Sequence, residues 1–135
     1  MDFFIFISEQ YVLVGALLIL IYVFVWNEKR KGGKTLSTHE MTRLMNSDAA
    51  VVVDIREAAD YKAGHITSAI NIPFNRINER WEELAPHKEK TIILVDKMGQ
   101  HTGGVGSILR TKEFTIGRLG GGMAEWQNQN LPVAK

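Results

Sequence analysis

Residues 11–26, YVLVGALLILIYVFVW, form a run of 16 with no charge. No other feature limits the fold so strongly. At about 1.5 Å per residue this run alone spans roughly 24 Å as a helix. A second apolar stretch, residues 3–7, precedes it, separated only by Ser8, Glu9 and Gln10. A helix starting near Phe4 or Ile5 therefore exceeds the ~30 Å of a bilayer's hydrocarbon. The buried helix of a small soluble domain keeps a polar face, and this run has none. The prediction is a transmembrane anchor over residues 1–26. A cleaved signal peptide fits poorly, because the early charges are Asp2 and Glu9 and the run lacks a small-x-small cleavage site after it. Its carboxyl flank is instead Glu28-Lys29-Arg30-Lys31 and then Lys34. Basic flanks stay in the cytoplasm. The expected arrangement is single-pass in the inner (plasma) membrane, with the N-terminus outside and the rest in the cytoplasm. Tyr22 and Trp26 suit the interfacial aromatic belt, and the basic cluster suits anionic headgroups. The lipid bilayer is thus the first expected partner.

Residues 27–34 carry Gly32-Gly33 and read as a basic, flexible tether. Residues 35–135 are long enough for one compact domain. Of the 16 basic and 15 acidic residues in the chain, the domain keeps twelve of each and is formally neutral. That balance gives no reason to expect nucleic acid as a partner. There is no cysteine, so disulfides, zinc–thiolate sites and cysteine nucleophiles are excluded. His39 and His87 are not grouped with other ligands, and no metal or other cofactor is expected.

Helix and strand signals alternate along the domain. Ser37-Thr38-His39-Glu40 reads as a capping box before the stripe Met41, Leu44, Met45. Residues 50–53 and Ile55 read as a strand buried on both faces. Glu57 to Ala63 reads as a short helix stopped by Gly64 in a left-handed conformation. A strand is expected from Ser68 to Ile72, then one helix bearing Phe74, Ile77, Trp81 and Leu84 and ended by Pro86. Residues 91–95 read as another buried strand. Val105, Ile108 and Leu109 mark a helix, Thr115, Ile116 and Leu119 a last strand, and Met123, Ala124 and Trp126 a last helix. This alternation predicts an α/β fold: an open, mainly parallel sheet flanked by helices. Sites in such sheets form beyond the carboxyl ends of strands, which points to the segment after Val95.

That segment is Asp96-Lys97-Met98-Gly99-Gln100-His101-Thr102-Gly103-Gly104-Val105-Gly106. A glycine-rich turn between strand and helix aims backbone N–H groups at an anion. Two nucleotide motifs fail here. A P-loop starting at Gly99 needs Lys at 105, where Val105 stands, and a dinucleotide fingerprint from Gly104 needs a glycine at 109, where Leu109 stands.

The residues do match another pattern. Asp54-Ile55-Arg56, then Asp60-Tyr61-Lys62-Ala63-Gly64-His65-Ile66, then Ala69-Ile70-Asn71-Ile72-Pro73 resembles the signature of the rhodanese-like family. Gly121-Gly122-Met123-Ala124-Glu125-Trp126 and Leu131-Pro132-Val133 are similar to its closing motifs. The resemblance covers residues 35–133 and implies an active loop following the central strand. In the family that loop is C-x-x-G-x-R-S, with a cysteine that carries a persulfide. Carried over, the positions are Asp96, Gly99, His101 and Thr102. A carboxylate cannot take up sulfur as a persulfide, so the catalytic positions are degenerate and no catalytic residue is assigned. Residues 114–119 run one residue short of the family pattern, with Glu113 where a glycine is usual. An N-terminal anchor joined to an acid at the cysteine position is similar to the YibN-type membrane-anchored rhodanese-like proteins of bacteria.

Asp96 then reads as a fixed negative charge in an anion loop, its carboxylate taking the amides that would hold a persulfide. The competing reading makes Asp96 and His101 an acid–base pair. Arg56 reads as a structural ion pair with Glu57 or Asp60, and His65 as a structural hydrogen-bonding residue. Asp54, Gly64, Gly121 and Gly122 belong to the structural motifs. Trp81 and Trp126 read as core. Gly103, Gly104 and Gly106 lie where a helix should begin and weaken it. The function expected is a membrane-anchored, catalytically inactive module that binds a protein, itself membrane-bound, through Asp96, Lys97, Met98, Gln100 and His101. The alternatives are a non-sulfurtransferase enzyme, or a small-anion or nucleotide sensor using the same loop.

Overall fold

The structure is a computed structural model and describes residues 2–31 and 33–135. It consists of two compact units, residues 1–30 and 31–135. The first is one helix, α1 (Asp2–Lys31). Its stretch Asp2–Asn27 is long and apolar enough to cross a membrane. Large apolar side chains such as Phe4, Leu13, Leu17 and Leu20 are exposed around it, so it has no apolar stripe turned inward on a core. A single-pass anchor fits this helix, and a signal sequence has the same length and composition.

The second unit is the α/β sheet that the alternation predicts. Five strands, β1 (Lys34–Leu36), β2 (Ala50–Asp54), β3 (Ile70–Asn71), β4 (Thr91–Val95) and β5 (Thr115–Leu119), lie in the order β1-β5-β4-β2-β3. Every pairing is parallel. Strand alternation sends successive side chains to opposite faces. Val52, Ile93 and Val95 pack with Met41, Met123 and Trp126 on one side. Val53, Ile92 and Leu94 pack with Leu84, Val105 and Leu109 on the other. That is why the strands read as unbroken apolar runs: both faces are covered.

The helices are α2 (Thr38–Asn46), α3 (Ala58–Ala63), α4 (Ile77–Arg80), α5 (Thr102–Thr111) and α6 (Gly122–Asn128). Ser37 caps α2, its Oγ accepting from the Glu40 N–H at 3.1 Å. The other half of the box differs from expectation: the Ser37 hydroxyl donates to Glu40 Oε1 at 3.3 Å.

Several boundaries move. The segment expected as a tether, residues 27–34, is helical through Lys31 and enters β1 at Lys34, while Gly32 lies outside the described residues. β1 carries three residues and one buried side chain, Leu36, too short for a periodic signal. The expected single helix from Phe74 to Pro86 is a 3₁₀ turn (Phe74–Arg76), then α4, then a 3₁₀ helix (Trp81–His87) that contains Pro86. The strand expected over residues 68–72 is confined to Ile70–Asn71, because Ser68 adopts φ 70°. Gly64 ends α3 not in the left-handed region but at φ 160°, ψ 128°, which is extended backbone.

Candidate functional site

The site is the loop between β4 and α5, built on the strand that lies between β5 and β2. Val95 ends the strand with its carbonyl accepting from the Ile55 N–H at 2.9 Å. The next residue, Asp96, is 5% exposed. Its two carboxylate oxygens are divided between two main-chain donors. Oδ1 accepts from the Lys97 N–H at 2.7 Å and Oδ2 from the His101 N–H at 2.8 Å. The carboxylate thus closes the loop on itself with short, charge-assisted bonds. Gly99 turns the chain at φ 88°, a conformation that suits glycine. Its carbonyl accepts from Thr102 Oγ1 at 3.2 Å, so the loop's lower rim is tied to the first turn of α5. Thr102 is itself buried.

The loop is fastened from behind by α6. The Asp96 carbonyl accepts from the Met123 N–H at 2.7 Å, and the Lys97 carbonyl from the Ala124 N–H at 3.0 Å. This explains the Gly121-Gly122 pair. Both residues have positive φ, and a Cβ at Gly122 would collide with the Asp96 carbonyl oxygen and sit 2.9 Å from the Lys97 carbonyl. The glycines let the first turn of α6 meet loop backbone directly.

The other motif residues form a brace beside the loop. Arg56 pairs with Asp54, not with Glu57 or Asp60 as expected. Its Nη2 donates to Asp54 Oδ2 at 2.7 Å and its Nε to Oδ1 at 2.9 Å. Both are buried, and Arg56 Nη2 also reaches the Gly64 carbonyl at 2.7 Å. Residues two apart on a strand share a face, so Asp54 is as near a candidate for Arg56 in sequence as Glu57 or Asp60, and spacing alone does not rank them. Asn71 donates to the carbonyls of both Asp54 and Arg56 at 3.0 Å. The Nδ1 of His65 bonds the Tyr61 carbonyl at 2.8 Å, and its ring stacks on Tyr61 at 3.8 Å. Trp126 is buried, with its Nε1–H donating to the Pro132 carbonyl at 3.0 Å. Trp81 is only partly buried.

Lys97, Met98, Gln100 and His101 lie on the exposed part of the loop, with Met98 61% exposed. The His101 ring does not turn to Asp96. It stacks on Phe74, with centroids 4.0 Å apart and planes 1° from parallel. The apolar pattern alone places Phe74 on the core face of a helix and misses this role. Phe74 is 37% exposed, held there by its N–H donating to the Ile55 carbonyl at 2.9 Å. The adjacent Pro73 is the available sign of a turn rather than a helix interior. A pocket of about 250 Å³ beside the loop is lined by Arg56, Asp60, Lys97, Met98, Met123 and Gln127 among others. Among the described residues no group of three His, Cys, Asp or Glu could hold a metal.

Known proteins resemble this chain in sequence and in fold. The uncharacterized protein YibN of Escherichia coli (strain K12) is 34% identical over 122 residues, covering 89% of this chain and 85% of YibN. A rhodanese-related protein from Thermoplasma volcanium superposes with a TM-score of 0.68 at 23% identity, covering 75% of this chain and 97% of its own. A rhodanese-like domain protein from Staphylococcus aureus superposes with a TM-score of 0.63 at 23% identity, covering 69% and 90% respectively. The family model described as "Rhodanese-like domain" matches residues 37–129, which take in the Asp54–Arg56 brace, the loop and the glycine pair. The chain therefore belongs to the rhodanese-like domain family, and it has no cysteine.

Proposed function

We propose that this protein is a membrane-anchored rhodanese-like module that works by binding another protein and not by transferring sulfur. The observation that carries the reading is the Asp96 carboxylate, buried and bonded to two loop N–H groups. The chain has no cysteine to hold a persulfide. The donors that would steady a bound anion are taken by a group of the same charge, which repels an incoming anion. That counts against an anion sensor or a phosphate-directed enzyme. The stacking of His101 on Phe74 counts against an Asp96–His101 acid–base pair, which needs the ring within hydrogen-bond reach.

The contact surface proposed is the loop tip, Lys97, Met98 and Gln100, with the His101–Phe74 stack as its rim. α1 serves as the anchor in the inner membrane, with the domain in the cytoplasm, on the strength of the basic residues after the apolar run. Tethering raises the effective concentration towards other membrane proteins, so the partner is itself membrane-bound. The test is crosslinking in native membranes, comparing the wild type with a Met98→Asp, Gln100→Ala variant. A specific adduct that disappears in the variant supports the reading. An adduct indifferent to the loop, or thiosulfate-to-cyanide transfer by the wild type above background, overturns it.

A further inference from the structure

The pocket beside the loop is lined by charged groups that the domain's own bonds leave open. Arg56 lines it and is nine-tenths buried, its side chain 8% exposed. Its Nε and Nη2 are engaged by the Asp54 carboxylate and the Gly64 carbonyl. Among the described residues Nη1 donates to no acceptor. No fully buried side-chain nitrogen among them lacks a partner, so Nη1 is not sealed in. The pocket is the space that Arg56 lines, and Nη1 is the guanidinium nitrogen left to serve it. Lys97 and Asp60 also line the pocket and are exposed, and neither side chain has a partner among the described residues.

These groups set what can enter. Guanidinium and ammonium groups only donate, so Arg56 and Lys97 both call for an acceptor, and a carboxylate answers both with charge-assisted bonds. The bond to Nη1 forms in a largely desolvated place, where it is stronger than in water. Asp54 balances the charge of Arg56 but leaves Nη1 open. Asp60 is the lining group that favours a base instead, and an exposed carboxylate interacts weakly. The Asp96 carboxylate is turned to the Lys97 and His101 N–H groups and does not line the pocket. Met98, Met123 and Ala124 supply an apolar lining, which suits the methylenes of a charged side chain. At about 250 Å³ the pocket is smaller than the ~300–1,000 Å³ of small-molecule clefts, and has room for one side chain.

We infer that this pocket receives a glutamate side chain of the protein partner, its carboxylate taken between Arg56 Nη1 and Lys97 Nζ; the inference rests on the protein-binding reading above. Lys97 and Met98 belong to the loop tip and to the pocket alike, so a partner seated on the tip brings a side chain to the opening. The two exposed charges then act with opposite sign. Neutralising Asp60 removes a repulsion, and neutralising Lys97 removes an attraction. A basic occupant would reverse both signs, and a purely structural role for either residue would show neither.

The experiment uses the full chain in lipid nanodiscs, isotope-labelled at its methionine methyl groups. N-acetylglutamate amide is titrated in, with its glutamine and lysine counterparts alongside. The methyl resonances of Met98 and Met123 report on the pocket, and Met45, which does not line it, is the internal reference. A probe of about 13 non-hydrogen atoms should bind at about millimolar Kd. The glutamate probe should bind about tenfold tighter than the glutamine one. Asp60→Asn should tighten it by about two- to fivefold, and Lys97→Gln should loosen it by as much. Both residues are exposed, so neither substitution threatens the fold as Arg56→Ala would. Equal affinity for glutamate and glutamine, tighter binding of lysine, no saturable shift, or a variant unmoved or moving the wrong way overturns the glutamate pocket. In the membrane crosslinking described above, Lys97→Glu should abolish the adduct. An adduct that needs Met98 and Gln100 but ignores Lys97→Glu overturns the pocket and leaves the loop contact standing. Absence of any loop-dependent adduct overturns the protein-binding reading, and the partner's glutamate with it.

Discussion

Gly122→Ala isolates what the glycine pair does for the loop. The new Cβ lands on the Asp96 carbonyl oxygen and 2.9 Å from the Lys97 carbonyl carbon and oxygen. These are backbone atoms held by hydrogen bonds to Met123 and Ala124, so nothing flexible can move aside. The residue also keeps φ 60°, which costs an alanine about 1–2 kcal/mol. Overpacking against fixed atoms adds about 1–3 kcal/mol. The stiffer unfolded chain returns about 0.4–1 kcal/mol. The net loss is about 2–4 kcal/mol, a large share of the ~5–15 kcal/mol typical of a domain, and lowers Tm by roughly 10–25 °C. Gly104→Ala is the matched control. Gly104 is exposed inside α5, and a Cβ there meets nothing within 4 Å, so the variant gains about 0.5–1 kcal/mol. Thermal melts of both variants, followed by near-ultraviolet circular dichroism, give the comparison. The amide resonances of Met123 and Ala124 should shift in the first variant and stay in place in the second. Two variants with melting points within about 2–3 °C of the wild type would refute the argument that loop backbone packs on Gly122.

Asp54→Ala should cost about 3–5 kcal/mol in a urea titration, because it strands the buried Arg56 guanidinium; a loss under about 1 kcal/mol would show that water reaches Arg56. Glu113 adopts φ 69°, so Glu113→Gly should stabilise the domain by about 0.5–1 kcal/mol, and a lower midpoint in the same titration would contradict this. Asp96→Cys places a thiol against the Lys97 and His101 N–H groups, which should bring its pKa below the ~8.5 of a free cysteine. That variant should accept sulfur from thiosulfate where the wild type does not. Adding His101→Arg should raise the rate by supplying a permanent cation. Absence of persulfide in both by mass spectrometry would mean that the loop no longer has a geometry fit for sulfur transfer.

Elements whose signal is local and periodic were legible in the chain alone. The uncharged run makes α1 an apolar helix because no spacing of its residues offers a polar face. Residues 50–53 and 91–95 mark buried parallel strands because both their faces are apolar, and Ser37 marks its cap through one residue's side chain. The absence of any cysteine was equally legible, since it needs only the residues' identities. Whatever depends on partners distant in the chain had to wait for the folded molecule. β1 exists because β5 offers it an edge, and its own three residues carry no period. Arg56 chose Asp54 because the backbone bends after β2 and buries both charges, which nearness in sequence cannot rank. His101 went to Phe74 and left Asp96 to the backbone, because the segment after Pro73 places an aromatic face beside the loop. Gly122 is required by the Asp96 and Lys97 carbonyls, 25 or more residues earlier in the chain.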